Sequence, residues 1–383
     1  GGFELEAVEA VGAAGDVDAA DVVLLLGNLV EQSLVVAESA AGGCGVRYRM
    51  LEPVRQYARG LLEESGQYAA TRERHAEYFV ALAEAARPEL MGAEHEGWLQ
   101  LLEREHDNLR EALRWARETG DVERGLRLSA ALCWFWWMHG YLGEGRRWVE
   151  GFLAEDSEGT NRPAGVVLAR AKALYGAGEL AFGQGDLLRA AQLFEESLLL
   201  YRELGDEEGV AVVSVELGQV ARARGEHERA AALSEEGLDL SRKVGERRAT
   251  AIALNTLGHV ERWRGDIEGA IARYEQSLAL FRELGHEWGG AYALANLGVV
   301  ALEGGDLERA QALSEESLSL YEKRGDKGGV ALALINLGDV ARKRGDEERA
   351  AALYSDALAL HRELGNQRGV ARALERLSLS AQR

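Results

Sequence analysis

Apolar and small residues return at helical spacing through the second half of the chain: Leu254, Leu257 and Val260 share one face of a segment, and Ile271, Tyr274 and Leu278 share one face of the next. Each segment stops at a glycine. Glycine followed by an acid stands at Gly185-Asp186, Gly225-Glu226, Gly265-Asp266, Gly305-Asp306 and Gly345-Asp346, forty residues apart each time, with a second glycine midway at Gly205, Gly245, Gly285, Gly325 and Gly365. Each forty-residue unit is thus predicted to hold two helices, because glycine supplies a left-handed C′ position without a Cβ penalty and the next acid or Asn can cap the following helix. Gly178, Gly218, Gly258, Gly298 and Gly338 recur inside the first helix, and Ala190, Ala230, Ala270, Ala310 and Ala350 inside the second. Small residues at both places let the two backbones approach closely. Such a pair cannot bury its apolar face alone, so neighbouring pairs must stack.

Upstream the repeat is degraded. Trp98–Asp121 and Gly125–Ala154 still predict long amphipathic segments with Gly-Asp or Gly-Tyr breaks, and they hold six of the eight tryptophans. Trp134, Trp136, Trp137 and Trp148 invite a reading as an aromatic ligand box, but an aromatic stripe at helical spacing is more often core. The helix-breaking run "DSEGTNRP", Asp156–Pro163, is the expected internal linker. The first sixty residues change period: "DVVLLLGNLVEQSLVV" predicts a helix running into a short strand, "AESAAGGCG" a turn, "VRYRM" a second strand, and a helix then opens at Pro53. Helix, hairpin, helix is the back half of a winged helix, whose front is expected to be missing.

The succession Leu257-Gly258, Gly265-Asp266, then Ala270 five positions on and Tyr274 near the end, resembles the tetratricopeptide repeat. The unit exceeds that family's usual length of ~34 residues and is similar to the extended repeats in the sensor region of MalT-type bacterial regulators. The aromatic position alternates, with Phe194, Tyr274 and Tyr354 but Ser234 and Ser314, so neighbouring pairs must pack differently. The fold class implied is all-α, a right-handed superhelix of antiparallel helix pairs preceded by a small partial winged-helix segment. The expected bounds are 1–66 for that segment, 67–160 for degenerate helical repeats, 161–365 for five repeats and 366–383 for a capping helix. "GGFELEAVEAV", "LLGNLVEQSLVV", "RYRMLEPVRQYARGLLEESG", "RHAEYFVALAE" and "EHDNLREALRWA" together look like the segment that follows the nucleotide-binding module in STAND-class signalling NTPases, among them LuxR-type and AfsR-like transcriptional regulators. That resemblance implies a ligand- or protein-sensing scaffold, with any ATPase activity in an upstream nucleotide-binding module of the parent chain. An opening without Met suggests an excised piece. The alternative is a free-standing adaptor that docks an acidic peptide; a Walker A motif upstream of Gly1 in the parent reading frame would separate the two.

Composition narrows the function classes. Of 383 residues 47% are hydrophobic and 28% charged, with only three prolines, a balance that favours helices and a buried core. No apolar run approaches the ~20 residues a membrane span needs, so a cytoplasmic protein without membrane contact is expected. A net charge of −20 excludes a nucleic-acid surface over the whole molecule. Asp16, Asp18, Asp21 and Glu31 surround the helix that would enter a groove and only Arg47 and Arg49 decorate the hairpin, so packing against the upstream module is expected in place of direct DNA binding. Cys44 and Cys133 have neither disulfide nor zinc spacing. The chain carries no phosphate loop, H-E-x-x-H, G-x-S-x-G or C-x-x-C. His227, His286 and His361 fall at helix boundaries where solvated side chains are the ordinary outcome, and Glu195-Glu196, Glu235-Glu236 and Glu315-Glu316 recur as a solvated face. No catalysis, cofactor or metal is therefore expected of this chain.

The candidate site follows from the stack. In tetratricopeptide superhelices the first helix of each pair lines the concave surface, which places Tyr175, Glu179, Phe182, Gln219, Arg222, Asn255, His259, Arg262, Trp263, Tyr292, Asp339, Arg342 and Lys343 inside. Arg222, Arg262 and Arg342 recur at one repeat position as a ladder able to hold carboxylates or phosphates, interrupted at Phe182 and Leu302. The residues expected to hold a protein, an anionic peptide or a small anionic ligand are Arg222, Asn255, His259, Arg262, Trp263, Tyr292 and Arg342; Arg224, Arg264 and Arg344 are read as complementing helix dipoles only.

Overall fold

A computed structural model describes residues 2–13, 17–39, 45–90, 95–156 and 163–380. Asp16, Cys44, most of the "DSEGTNRP" run and the middle of the "AESAAGGCG" turn lie outside them. The chain divides into two units, Gly1–Gly183 and Gln184–Arg383.

The first unit opens with β1 (Phe3–Glu4), α1 (Leu5–Gly12), α2 (Ala19–Glu31), β2 (Val35–Ser39) and β3 (Val46–Met50). The strands form an antiparallel sheet in the order β1-β3-β2, with Phe3 opposite Tyr48 and Val35 opposite Met50. Of these, β1 and α1 were not predicted. Asp18 and Asp21 close a capping box on α2, the Asp18 carboxylate accepting from the Asp21 amide at 2.8 Å. Then follow α3 (Glu52–Glu64), α4 (Tyr68–Glu89), α5 (His95–Arg104), α6 (His106–Thr119), α7 (Val122–Met138), α8 (Leu142–Glu155) and α9 (Ala164–Gly183). The segment Trp98–Asp121 is therefore two helices, parted at Glu105 (φ −92°, ψ 4°). Trp136, Phe79, Phe135 and Phe152 are fully buried among them. Trp134 stacks on Trp137 at 4.9 Å and Trp148 receives the Arg117 guanidinium at 4.7 Å, so the tryptophans are core and its rim. Cys133 is buried, and burial pushes its thiol well above the ordinary range.

His75 on α4 lies 4.6 Å from the Phe79 ring. Burial, then the Arg72 guanidinium, lower its pKa to about 4, against smaller opposing effects from Glu111 and Asn108. The folded value lies below the unfolded one, so this contribution to stability is complete above the unfolded pKa near 6.5 and is lost as pH falls toward 4. Denaturant unfolding followed by tryptophan fluorescence should show His75→Gln losing ~3 kcal/mol less than the parent chain between pH 7 and pH 4. Parallel pH slopes for the two would show that His75 titrates in the fold as it does unfolded.

The second unit holds α10 (Leu187–Leu204), α11 (Glu207–Ala223), α12 (His227–Val244), α13 (Arg247–Arg264), α14 (Ile267–Glu283), α15 (Glu287–Glu303), α16 (Leu307–Lys323), α17 (Lys327–Lys343), α18 (Glu347–Glu363) and α19 (Gln367–Ser380). Here α11 packs on α12, α13 on α14, α15 on α16 and α17 on α18, with each pair stacked on the next. The turn signals act as read: Gly265 (φ 86°) and Gly345 (φ 81°) take the left-handed conformation, and the Asp266 and Asp346 carboxylates accept from the Gly269 and Arg349 amides. Glu226 makes no such cap and pairs instead with Arg224 and Arg229.

The small residues work in a way their spacing did not reveal. A Cβ on Gly258 would come within 2.8 Å of the Tyr274 ring, and one on Gly338 within 2.5 Å of Tyr354. Gly218 and Gly298 stand equally close to the Ser234 and Ser314 hydroxyls. These four internal glycines thus make room for the alternating Ser or Tyr of the partner helix, while Ala230, Ala270, Ala310 and Ala350 are fully buried nearby. Alternation extends to the surface. Arg202–Glu236 and Arg229–Glu195 join α10 to α12, and Arg282–Glu316 (2.7 Å) and Arg309–Glu275 (2.8 Å) join α14 to α16. One acid of each pair is therefore engaged between helices, and the packing period is two repeats.

Candidate functional site

First helices of successive pairs, together with α19, enclose a groove of roughly 550 Å³. Helical spacing aligns each contribution: His259 and Arg262 from α13; Asn296, Val299, Leu302 and Glu303 from α15; Leu332, Asn336, Asp339, Arg342 and Lys343 from α17; Arg372 and Arg376 from α19. Five cations face two carboxylates, so the groove is locally basic in an acidic chain.

Its floor is laced by side-chain amides. The Asn296 Nδ2 donates to Asn255 Oδ1 at 2.9 Å and the Asn336 Nδ2 to the Ala295 carbonyl at 3.1 Å, tying α15 to α13 and α17 to α15. Asn336 Oδ1 and His259 Nε2 are left buried without a hydrogen-bond partner, as is Asn255 Nδ2 behind them. Leaving such groups unpaired costs about 1–3 kcal/mol each. His259 meets Tyr274 edge-on at 5.7 Å, and burial, then the Arg222 and Arg262 guanidinium groups, hold its pKa well below the ordinary value, so the ring is neutral near pH 7.

Two cations are neutralised internally: Arg262 pairs with Glu303 at 2.6 Å and Arg376 with Asp339 at 3.0 Å. The Tyr354 hydroxyl also donates to Asp339 at 2.8 Å and receives Arg342. Among the described residues, no carboxylate stands within 4 Å of Arg342, Lys343 or Arg372. Arg372 lines the groove while remaining exposed to solvent; partial desolvation by its surroundings, with Arg376 and Arg262 adding to the effect and Asp339 opposing it, holds it below the ordinary guanidinium value.

Of the residues placed inside from sequence, the groove brings together His259, Arg262, Asp339, Arg342 and Lys343, with Asn255 beneath them at 3% exposure. The others lie elsewhere. Trp263 is 55% exposed and stacks on His227 of α12 at 4.4 Å, because it is turned about 100° from Arg262 around α13. Tyr292 stacks on Trp288 at 6.0 Å and stands behind the groove lining, its ring tilted on His259 at 6.4 Å. Arg222 adds its field to His259 without lining the groove. Tyr175 and Glu179 belong to α9 in the first unit, the tyrosine donating to the carboxylate at 2.9 Å. The cationic ladder is thus replaced by a cluster at the α17–α19 end. Sequence reading missed Asn296, Asn336, Arg372 and Arg376; the i, i+4 arginine pair on the last helix was the available signal. Arg264 and Arg344, expected only to complement dipoles, pair with Glu228 (2.6 Å) and Glu308 (3.4 Å). Nor are the boundary histidines solvated: His361 is buried, and His286 Nδ1 caps the Gly289 amide at 3.0 Å.

In the first unit the two hairpin arginines are occupied. Arg47 pairs with Glu105 and donates to the Gly2 carbonyl at 2.9 Å and the Arg104 carbonyl at 2.7 Å, while Arg49 pairs with Glu38 at 2.6 Å. Among the described residues there is no helix long and apolar enough to cross a membrane and no cluster of three or more His, Cys, Asp or Glu able to hold a metal.

Comparison with known proteins agrees with these features. Residues 1–63 match the winged helix-turn-helix domain family, and residues 169–243, 249–323 and 333–368 match tetratricopeptide repeat families. Candidate HTH-type transcriptional regulators of Mycobacterium tuberculosis and Mycobacterium bovis are 37% identical over 213 residues, 54% of this chain, which spans only 23% of their length. A Pyrococcus horikoshii STAND protein with a tetratricopeptide repeat sensor superposes over 99% of this chain and 51% of its own (TM-score 0.62, 15% identity). A Rap protein complexed with competence and sporulation factor superposes over 82% of this chain and 98% of its own (TM-score 0.52, 12% identity). The chain is therefore a winged helix-turn-helix domain followed by an array of tetratricopeptide repeats.

Proposed function

We propose that the chain is the sensing part of a STAND-class, ATP-dependent transcriptional or signalling regulator, and that its event is capture of an anionic partner, whether protein, peptide or small molecule, in the groove of the second unit. The observation that carries this reading is the cluster of Arg342, Lys343 and Arg372 without carboxylate partners, above a floor of buried polar atoms that lack hydrogen bonds. The mycobacterial relatives, of which this chain spans a minor part, and the STAND protein with a repeat sensor support the larger assignment. On this reading the chain is a binding element of the cytoplasm, not a catalyst, and it needs no cofactor of its own. ATPase chemistry belongs to an upstream module. The engaged Arg47 and Arg49, with Leu24 (68% exposed) and Tyr57 (70% exposed) on the helices around them, favour packing of the winged helix against that module over direct DNA contact.

Titration calorimetry with an acidic dodecapeptide, citrate and tripolyphosphate tests the groove. At least one probe should bind, and Arg342→Ala combined with Lys343→Ala should weaken it about tenfold or more, since each charged hydrogen bond contributes ~1.5–3 kcal/mol. Failure of every probe to bind, or undiminished binding by a double variant that melts normally, would remove the groove as the site.

A further inference from the structure

The last helix takes part in the groove. The Arg368 side chain at the start of α19 donates to the Ala223 carbonyl at the end of α11, 3.4 Å away and 145 residues earlier. Further along α19, Arg376 is fixed on Asp339, Ala373 is fully buried, and Leu377 packs on the Ala341, Ala350 and Tyr354 cluster of α17 and α18. With Gly369 against the His361 ring as well, the helix stacks on α18 and α17 along its length, and its free side carries Arg372 and Arg376 to the groove.

That placement decides what can enter. The cations that line the groove are gathered at its α17–α19 end, and its space of about 550 Å³ falls within the range of small-molecule sites. The cations converge instead of spreading: Arg342 and Lys343 come from α17 and Arg372 from α19. Val299, Leu302 and Leu332 give the cavity an apolar wall, and the His259 Nε2 and the Asn336 carbonyl oxygen lie in its floor without hydrogen-bond partners. We infer that α19 is a wall of the binding site as well as the end of the array, and that the pocket it closes takes a compact small molecule bearing at least two negative charges and a short apolar stretch, with Arg372 as a charge-pairing residue. Arginine forks suit carboxylate and phosphate oxygens alike, so the chemistry specified is that of a small polyanion. The inference rests on the groove reading above and narrows it.

Calorimetry on the full chain separates the cases. Citrate and tripolyphosphate represent carboxylate and phosphate ligands; at least one should bind, and the acidic dodecapeptide should neither bind nor compete. Arg372→Ala should weaken small-anion binding about tenfold or more, and Arg372→Lys should retain more of it than Arg372→Ala does. Ending the chain at Gly365 should abolish small-anion binding and admit the peptide; if that truncation fails to fold, the two Arg372 variants carry the test. Loss of binding in Arg342→Ala with none in Arg372→Ala would leave the groove standing and overturn the role of α19. Binding of the dodecapeptide to the intact chain in competition with the small anion would overturn the compact-ligand assignment. Insensitivity to both Arg342→Ala and Arg372→Ala would sink the groove itself.

Discussion

Glu105→Ala is expected to destabilise the first unit by about 3–5 kcal/mol, the cost of stripping the partner from a buried ion pair. Glu105 is only 3% exposed and sits where α5 gives way to α6. It receives the Arg47 guanidinium from β3 and the Asn108 side-chain amide at 2.5 Å, and both of those donors also hold the Gly2 carbonyl, at 2.9 and 2.8 Å. One carboxylate thus joins β3, the strand-forming N-terminus and the α5–α6 corner. Removing it leaves a guanidinium desolvated on one side and an amide short of one of its two acceptors. Glu105→Gln keeps one acceptor oxygen and should lose less. The measurement is denaturant unfolding followed by tryptophan fluorescence, paired with limited proteolysis of residues 2–64, which should be cut faster in the variant. A loss under about 1 kcal/mol with unchanged proteolysis would mean that apolar contacts alone hold the winged helix on the helices behind it.

This tie could not be read from the sequence, because Arg47 and Glu105 are separated by 58 residues and Arg47 looked like one of two hairpin decorations. The break at Glu105 was hidden for a related reason. Apolar spacing runs on through Trp98–Asp121, and a helix that turns a corner with few bonds lost changes no residue type. The repeats were legible because their causes are local: a positive-φ glycine, an acid cap three residues before the amide it accepts from, and an apolar stripe. The same locality explains the partial success at the site. His259, Arg262 and Arg342 were placed by helical phase, whereas Trp263, one residue from Arg262, turned outward to His227, and Arg222 sits where the lining of the groove does not reach. Arg372 escaped notice because a terminal segment ending in polar residues reads as a cap. Its entry into the groove depends on how α19 stacks on α17 and α18, a tertiary event with no signature in spacing.

Phe281→Ser should cost about 3–5 kcal/mol, the usual penalty for emptying an aromatic core site, and adding Gly289→Ala should restore part of that loss although Gly289→Ala alone destabilises by about 1–3 kcal/mol. The reasoning comes from one junction repeated along the array. A Cβ on Gly209, Gly289, Gly329 or Gly369 would overlap the Tyr201, Phe281, Tyr321 or His361 ring, eight residues earlier in the preceding helix. In the remaining repeat the large residue is Ser241, and there the glycine position is Ala249, 2% exposed. Ring and glycine therefore form one volume, as do serine and alanine, and the second combination already occurs in this protein. Phe281 is 3% exposed within the cluster of Tyr274, Leu278 and Leu294, so the hole left by serine cannot refill with solvent-facing atoms. Thermal melts of the two single variants and the double give the coupling directly. The expected interaction is favourable by about 0.5–3 kcal/mol, the range for residues in contact. The Ser241 hydroxyl also meets Thr250 Oγ1 at 2.9 Å; residue 290, the equivalent position, is glycine, so the rescue should stay incomplete unless Gly290→Thr is added. Strict additivity of Phe281→Ser and Gly289→Ala would show that the alternation of large and small residues is not what sets the distance between successive pairs.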